Sequence, residues 1–367
     1  MPQLDGLRAV AIAAVLWQHG FPDGTAWVHA LPWGTAGVRL FFVLSGFLIT
    51  GILLECRDLA DRGEVGTGHV LRRFYARRAL RILPIYYGVL IVAAVFDLGP
   101  VREIWVWLAT FTTNLYLAWQ GDWLWGGFVN HLWTLAVEEQ FYLLWPWVVI
   151  FVPRRRIDPV LLCAVASALL WRIASVALGH PALTTELFSL SAFDSLALGS
   201  LLASARRGGL GGAEGLRRLR AICLRCGGPL LALLMGLELA SAAPGVRLVL
   251  VDFAMALFFT WLVDRAADGF GGATGRFLSW APVRYLGQIS YGVYVVHLFV
   301  RGTLATLVMQ GLLPPPANLG VRCLEIVGLS IAVGALSWHF FERPINDLKR
   351  RFPYGPDARS EVAHRGS

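Results

Sequence analysis

Long apolar runs recur along the whole chain, and many reach the roughly 17–25 residues needed to cross the hydrocarbon core of a bilayer. We predict an all-α integral membrane protein, a bundle of about ten transmembrane helices formed by residues 1–352. The predicted spans are 5–20, 37–54, 82–97, 131–152, 158–178, 187–205, 229–245, 247–263, 285–308 and 320–341. The polar residues 353–367 are predicted to form a disordered cytoplasmic tail.

Clusters of arginine between the predicted spans indicate the topology. They lie at Arg57–Arg81, Arg154–Arg156, Arg206–Arg225, Arg265–Arg284 and Arg343–Arg351. Basic residues flanking membrane spans favour the cytoplasmic side, so we expect all five clusters and both termini to be cytoplasmic. The expected location is a cell membrane, plasma or inner, of a bacterium.

A further tryptophan-rich stretch at 104–125 is also apolar. If it crossed the membrane, Arg154–Arg156 and every later cluster would move to the outer side. We therefore predict that this stretch is re-entrant or interfacial, which also suits its Asn114, Gln120 and Asp122.

Composition narrows the class of protein further. Hydrophobic residues make up 56% of the chain and charged residues 15%, which excludes an ordinary soluble domain. The net charge of +8 comes from arginines at helix ends, so the basic balance does not indicate binding of nucleic acid. The lone CxxC of Cys223 and Cys226 has no second pair, and no metal site is predicted.

The first span contains three ionisable residues, Asp5, Arg8 and His19. Such residues are costly inside a bilayer, and each is a hypothesis about a functional site. The step from Arg8 to His19 turns roughly 1100°, about 20° from three full turns, and rises roughly 16 Å. Both side chains therefore share one face. A simpler alternative is that Arg8 reaches to the interface and His19 caps the outer helix end.

The span that begins at His131 places two adjacent carboxylates, Glu138 and Glu139, near mid-bilayer. Spacings of seven and four put His131, Glu138 and Tyr142 on one face, whereas Glu139 points about 100° away, towards a neighbouring helix. A histidine and a carboxylate from different helices can act as a general base and the group that orients it. The alternative is that one glutamate pairs with an arginine at a helix end.

A third span carries Ser290, Tyr294 and His297 on one face. We assign Tyr294 and His297 as supporting site residues, with hydrogen-bonded packing as the alternative for His297.

The segment Arg72–Arg81 holds five arginines in ten residues, more than membrane anchoring requires. Arg77, Arg78 and Arg81 are candidates to bind the phosphates of a nucleotide-like acyl donor such as coenzyme A. Anionic lipid headgroups are the competing partner.

These residues belong to six motifs whose order and spacing are informative together. The motifs are Leu4-Asp5-Gly6-Leu7-Arg8-Ala9 with His19, Phe41 to Ile49, Arg78-Ala79-Leu80-Arg81, His131 to Tyr142, Ser290-Tyr291 with His297, and Phe341-Glu342-Arg343-Pro344. Over nearly the whole chain they resemble the acyltransferase 3 family of membrane O-acyltransferases, which modify sugars on lipopolysaccharide, other glycans and antibiotic glycosides. Thr134 stands where serine is commoner in that family.

The resemblance implies a ten-helix core, an acyl-CoA donor supplied from the cytoplasm, and His19 as the catalytic base. We expect acetyl-CoA as co-substrate, no tightly bound cofactor or metal, and a hydroxyl of a carbohydrate or glycoside as acceptor. No esterase-like domain follows the last helix, so any second transfer step is expected to need a separate protein.

Our hypothesis places the donor phosphates on Arg78 and Arg81. The thioester would lie in a cavity lined by Arg8, His19, Glu138 and Ser45. His19, oriented by a carboxylate, would deprotonate the acceptor, and Arg8 would steady the oxyanion.

A transporter is the alternative class, in which the buried charges form a proton or substrate relay. The sequence shows neither inverted-repeat symmetry nor paired Gly/Pro-broken helices, which favours the enzyme.

Overall fold

The computed structural model describes residues 1–22, 25–240 and 242–355, which are helical over most of their length. In chain order the α-helices are α1 (Pro2–Gly20), α2 (Ala26–His29), α3 (Trp33–Asp61), α4 (Thr67–Val95), α5 (Trp105–Ala109), α6 (Thr113–Gln120), α7 (Leu132–Phe151), α8 (Arg154–Ala177), α9 (Ala182–Leu187), α10 (Phe193–Ala205), α11 (Ala213–Ile222), α12 (Gly228–Leu239), α13 (Pro244–Asp268), α14 (Gly272–Ser279), α15 (Ala281–Met309), α16 (Leu319–Ser337) and α17 (Arg343–Asp347). Short 3-10 or π segments lie at Gly99–Val101, Ser189–Ala192, Cys223–Gly227, Trp338–Glu342 and Leu348–Arg351.

Helices occupy all ten predicted span positions. In the described part of the chain, seven helical stretches are long and apolar enough to cross a membrane, and Ser189–Ala205 is a shorter apolar stretch. The other two positions are α1 and α7, with 19 and 20 residues, which carry the buried charges predicted to form the site. An all-α integral membrane protein is thus confirmed. Of the predicted tail, all but residues 353–355 lie outside the described residues.

Several boundaries differ from the prediction. Helix α4 begins at Thr67, well before the span predicted at 82–97. Helix α12 ends at Leu239, before the predicted end at 245, and Pro244 already begins α13. A proline suits the first helical position because the N–H it lacks would have no partner there.

The arginine clusters lie together at one end of the bundle, here called the arginine end. Ion pairs and hydrogen bonds join them: Arg154 and Arg207 with Asp58, Arg206 with Asp264, and Arg77 with the carbonyls of Lys349 and Phe352. Gln3 is hydrogen-bonded to the backbone of Phe270, which brings the first helix to the same end. The described chain therefore starts and finishes at the arginine end.

The stretch 104–125 does not cross the bundle. It forms two short helices, α5 and α6. Helix α4 ends before it and helix α7 begins after it, both at the end of the bundle opposite the arginine end. The Tyr86 hydroxyl donates to the carbonyl of Leu108 at 2.8 Å. Tyr86 itself lies about 13 Å along α4 from the last residue of that helix. Gln140, which lies about 12 Å along α7 from its first residue, donates to the carbonyl of Phe111 at 2.9 Å. The stretch therefore enters the bundle and returns, as a re-entrant segment.

Close backbone contacts fix α1 and α3 in the centre of the bundle. A Cβ atom added to Gly37 of α3 would lie 2.4 Å from the carbonyl oxygen of Ala11 in α1. A Cβ atom on Gly287 of α15 would lie 1.8 Å from the carbonyl oxygen of Asp5. Small residues allow this approach between membrane helices. The three helices that carry Arg8, His19, Ser45 and His297 consequently have little freedom to slide.

Four charged side chains form a sealed cluster between α3, α8, α10 and α13. Arg39 pairs with Asp252 and Arg172 with Asp194, and the crossed pairs Arg39–Asp194 and Arg172–Asp252 lie at 3.8 and 3.6 Å. Both arginines also donate to the carbonyl of Ser191 at 3.0 Å. Two positive and two negative charges cancel out of contact with water, so we interpret the cluster as structural.

Replacing Arg172 by methionine should destabilise the fold strongly, because Asp194 would stay buried without its closest cation. Breaking a buried pair costs about 3–5 kcal/mol. We expect a clear drop in the midpoint of thermal unfolding of the detergent-purified protein. The matched control is Arg155→Met, because Arg155 is exposed at the arginine end. Equal midpoints for Arg172→Met and wild type would contradict a structural role.

Candidate active site

The predicted site residues line two cavities that follow one another along the same face of α1. The arginine cavity, ≈ 800 Å³, is lined among others by Arg8, Val38, Ser45, Arg78, Arg81, Thr134, Glu138, Glu139, Tyr142 and Tyr294. The histidine cavity, ≈ 1820 Å³, is lined among others by His19, Val38, His131, Trp133, Glu186, Tyr294, Arg301 and Arg322. Arg8 and His19 share a face of α1, as their spacing predicts, but they line different cavities.

In the arginine cavity a chain of hydroxyls holds Glu138 in place. Ser45 Oγ on α3 donates to Glu138 Oε1 at 2.5 Å, and the Tyr142 hydroxyl donates to Ser45 Oγ at 3.0 Å. Glu138 and Tyr142 lie one helical turn apart on α7, so this chain ties that face of α7 to α3. Glu138 is therefore anchored by hydroxyls, in a different cavity from His19.

The structure corrects the expected direction of Glu139. We expected it to point towards a neighbouring helix, but its side chain lines the arginine cavity beside Glu138. The 100° step between adjacent positions was sound, but the cavity is wide enough to receive both side chains.

Three arginines, Arg8, Arg78 and Arg81, line the arginine cavity. Arg8 pairs with Asp5 at 2.6 Å, one turn away on α1. Arg78 lies 5.9 Å from the ring centroid of Tyr142. Within the described ranges, neither Arg78 nor Arg81 has an ion pair with a carboxylate. A neighbouring recess, here called the mouth, shares Arg8 and Arg81 with this cavity and is also lined by Lys349, Asp5 and Glu342. The cavity and its mouth therefore suit an anionic ligand such as a phosphate.

Arg77 does not line this cavity. Its guanidinium donates to the carbonyls of Lys349 and Phe352, both at 3.1 Å, and lies 4.7 Å from the ring centroid of Tyr354. The structure thus places Arg77 against the segment that follows α17, although its neighbour Arg78 lines the cavity.

His19 lies in the last turn of α1 and contacts a second histidine. Its Nδ1 is 3.0 Å from Nε2 of His297, and Nδ1 of His297 is 2.6 Å from the carbonyl oxygen of Tyr294. A carbonyl only accepts, so Nδ1 of neutral His297 carries its proton and Nε2 is an acceptor. His19 must then donate from Nδ1. No donor from the described residues bonds to its Nε2, whose lone pair is the form that a general base requires.

His131 and Tyr294 join α7 to α15 between the two cavities. His131 Nε2 donates to the carbonyl of Val295 at 3.0 Å, and the Tyr294 hydroxyl donates to the carbonyl of His131 at 3.1 Å. Thr134 Oγ1 is 2.7 Å from the same tyrosine hydroxyl. These bonds anchor Tyr294 firmly, and they occupy the Nε2 proton of His131.

Val38 and Tyr294 line both cavities and so form a partition between them. The cavity that contains His19 lies on one side of this partition, and the cavity that contains the arginines lies on the other. A molecule held by the arginines and one held near His19 could therefore react only at this partition.

Several lining residues were not predicted from the sequence. Glu186, Arg301 and Arg322 in the histidine cavity lie within or just outside predicted spans, so the rule that flagged Arg8 and His19 applied to them too. The same holds for the sealed cluster, for example Arg39 and Arg172. Val38 carries no sequence signal.

Within the described ranges, no group of three His, Cys, Asp or Glu side chains is placed to hold a metal ion.

The bundle and its two cavities define an integral membrane protein with a polar site inside the bilayer. A family model described as an acyltransferase domain matches residues 1–338. The chain therefore belongs to the acyltransferase 3 family, as its motifs indicated.

Curated bacterial relatives carry related names. The chain is 27% identical to the peptidoglycan O-acetyltransferase OatA of Listeria monocytogenes, over 94% of this chain and 56% of that protein. It is 28% identical to the putative peptidoglycan O-acetyltransferase YrhL of Bacillus subtilis, over 94% and 55%. It is 26% identical to the O-acetyltransferase OatA of Staphylococcus aureus strain NCTC 8325, over 99% of this chain and 60% of that protein. The chain thus spans little more than half the length of these relatives. No solved structure matches it significantly.

Proposed function

We propose that this protein is a membrane O-acyltransferase that moves an acetyl group from acetyl-CoA to a glycan hydroxyl, with His19 as general base. The observation that carries the proposal is the Nε2 lone pair of His19 in a cavity that adjoins, at Val38 and Tyr294, a second cavity lined by arginines. The names of the relatives support acetyl as the group and a peptidoglycan-type glycan as the acceptor.

The donor belongs in the arginine cavity under this proposal. The positive-inside rule favours the arginine end as the cytoplasmic one, and it is from the cytoplasm that acyl-CoA is available. Arg78 and Arg81, with Lys349 at the mouth, are cations suited to the phosphates of coenzyme A. The pantetheine arm would then run inwards and bring the thioester to the partition.

The acceptor occupies the histidine cavity, which opens at the opposite end. Trp133 offers an apolar ring face to a sugar, and Glu186 offers carboxylate oxygens to its hydroxyls. One acceptor hydroxyl donates to Nε2 of His19. As its oxygen attacks the thioester carbonyl, a C–O bond forms, the proton passes to His19 and the C–S bond breaks. The proton then leaves His19 for the thiolate, which departs as the free thiol of coenzyme A.

His297 acts as a positioning residue in this mechanism. We expected a carboxylate to orient His19. Because Glu138 lies in the other cavity, we assign that role to His297. By accepting from Nδ1 of His19, it holds the ring in the tautomer that presents a lone pair to the acceptor.

Arg8 also takes a different role from the one that we expected. It lies roughly 16 Å from His19 along the axis of α1, too far to contact an oxyanion formed beside His19. We therefore assign Arg8, steadied by Asp5, to the donor phosphates or pantetheine arm.

Replacing His19 by glutamine should remove the base and lower acetyl transfer by about 10²–10⁴-fold. The measurement is release of free thiol from acetyl-CoA by purified protein, with the disaccharide GlcNAc–MurNAc as acceptor and mass spectrometry of its acetyl ester. The control is His339→Gln, an exposed histidine on another helix, which should keep wild-type rates. Wild-type rates in His19→Gln would exclude the base. A wild-type protein that releases no thiol would exclude the enzyme and favour the transporter.

The same assay tests the positioning role of His297. His297→Gln keeps an oxygen that can accept from Nδ1 of His19, whereas His297→Leu keeps the volume and loses the acceptor. We expect the leucine variant to lose at least about tenfold more kcat than the glutamine variant, with a similar KM for acetyl-CoA. Equal losses in both variants would show that His297 only fills space.

Replacing Arg81 by alanine should weaken donor binding, because a guanidinium that faces the phosphates is lost. A charge-assisted hydrogen bond contributes about 1.5–3 kcal/mol, so KM for acetyl-CoA should rise by about 10–100-fold while kcat changes less. The control is Arg72→Ala, an exposed member of the same cluster. An unchanged KM in Arg81→Ala would place the donor elsewhere.

A further inference from the structure

We propose that the side chain of Val38 limits the length of the acyl group that the enzyme transfers. The inference rests on the proposed function, since it concerns the point where donor and acceptor would meet. Val38 and Tyr294 are shared by the linings of the arginine cavity and the histidine cavity. The width of the opening between the two cavities depends on these two side chains.

Tyr294 is the fixed side of the partition. Its hydroxyl donates to the carbonyl of His131 and is hydrogen-bonded to Thr134, while its own carbonyl accepts from His297. Its ring also packs edge-on against Phe41, with centroids 6.3 Å apart. Moving this ring would break both hydrogen bonds of the Tyr294 hydroxyl, each costly inside a bilayer.

The backbone of Val38 is equally immobile. The preceding residue, Gly37, touches α1 so closely that a Cβ there would lie 2.4 Å from the carbonyl oxygen of Ala11. One turn earlier, the N–H of Gly34 donates to the side chain of Gln18 at 2.6 Å. Helix α3 therefore cannot retreat from α1 at this level. With both backbones held, the two γ-methyl groups of Val38 set the free space at the partition.

The reaction places the acyl chain at this point. The thioester carbonyl must come within reach of a hydroxyl bound at Nε2 of His19, so the carbon attached to that carbonyl lies against Val38 or Tyr294. A methyl group fits where a longer chain would meet the γ-methyl groups of Val38. A single extra methylene in an apolar site is discriminated by about 10–200-fold. Val38 therefore favours acetyl over propionyl and butyryl.

Substitution at Val38 tests this inference with acetyl-CoA and propionyl-CoA as donors and GlcNAc–MurNAc as acceptor. The readout is the ratio of kcat/KM for propionyl to that for acetyl, which does not depend on how much protein folds. Val38→Ala should raise the ratio at least about tenfold over wild type. Val38→Leu, which fills the space, should lower it, and it decides the question if the alanine variant cannot be purified.

The matched control is Val43→Ala, which removes the same two methyl groups from the same helix. Val43 is fully buried in the core and lines neither cavity, so its variant should keep the wild-type ratio. Wild-type ratios in both Val38 variants, from an enzyme that does transfer acetyl, would overturn the inference and leave the proposed function standing. A wild-type protein that transfers neither acyl group would overturn both.

Discussion

The apolar interior of a bilayer offers no hydrogen-bond partners, so every polar group inside the bundle has to find one in the protein or in a water-accessible cavity. In the described residues this constraint sorts the buried charges into a sealed cluster and two cavities. Arg39, Arg172, Asp194 and Asp252 form ion pairs with one another and hold four helices together. The cavities form along α1, where Arg8 pairs with Asp5 but Arg8 and His19 also line open space.

Helix α1 couples the two cavities because it contributes to both. Arg8 lies near its start and His19 near its end, on one face, and close contacts at Gly37 and Gly287 hold that face against α3 and α15. The same contacts that stabilise the bundle consequently fix the separation between Arg8 and His19. In the mechanism that we propose, a long donor with phosphates at one end and a thioester at the other spans that separation.

Much of this arrangement follows from the sequence. Apolar runs predict the ten helix positions, arginine clusters predict the shared end, and helical spacing predicts which faces carry Arg8 with His19 and His131 with Glu138. Periodicity reports direction around a helix but not which cavity a given depth meets. The separation of His19 from Glu138 and the pairing of His19 with His297 therefore needed the structure.

Other features lacked a sequence signal altogether. Arg77 and Arg78 are adjacent arginines in one cluster, and only the packing of residues 349–354 against α4 shows that one faces the cavity and the other does not. Val38 is an ordinary apolar residue of a membrane helix until two cavities are found on either side of it.

The sealed cluster, in contrast, did have a sequence signal, because Arg39 and Arg172 interrupt apolar spans as plainly as Arg8 does.

A density map of the protein with a non-hydrolysable acetyl-CoA analogue would test directly whether donor and acceptor meet at the partition. The phosphates should lie beside Arg78 and Arg81, and the acetyl group should contact Val38 and Tyr294 on the side facing His19. An analogue bound with its acetyl group remote from Val38, or with its phosphates in the histidine cavity, would contradict the two-cavity mechanism.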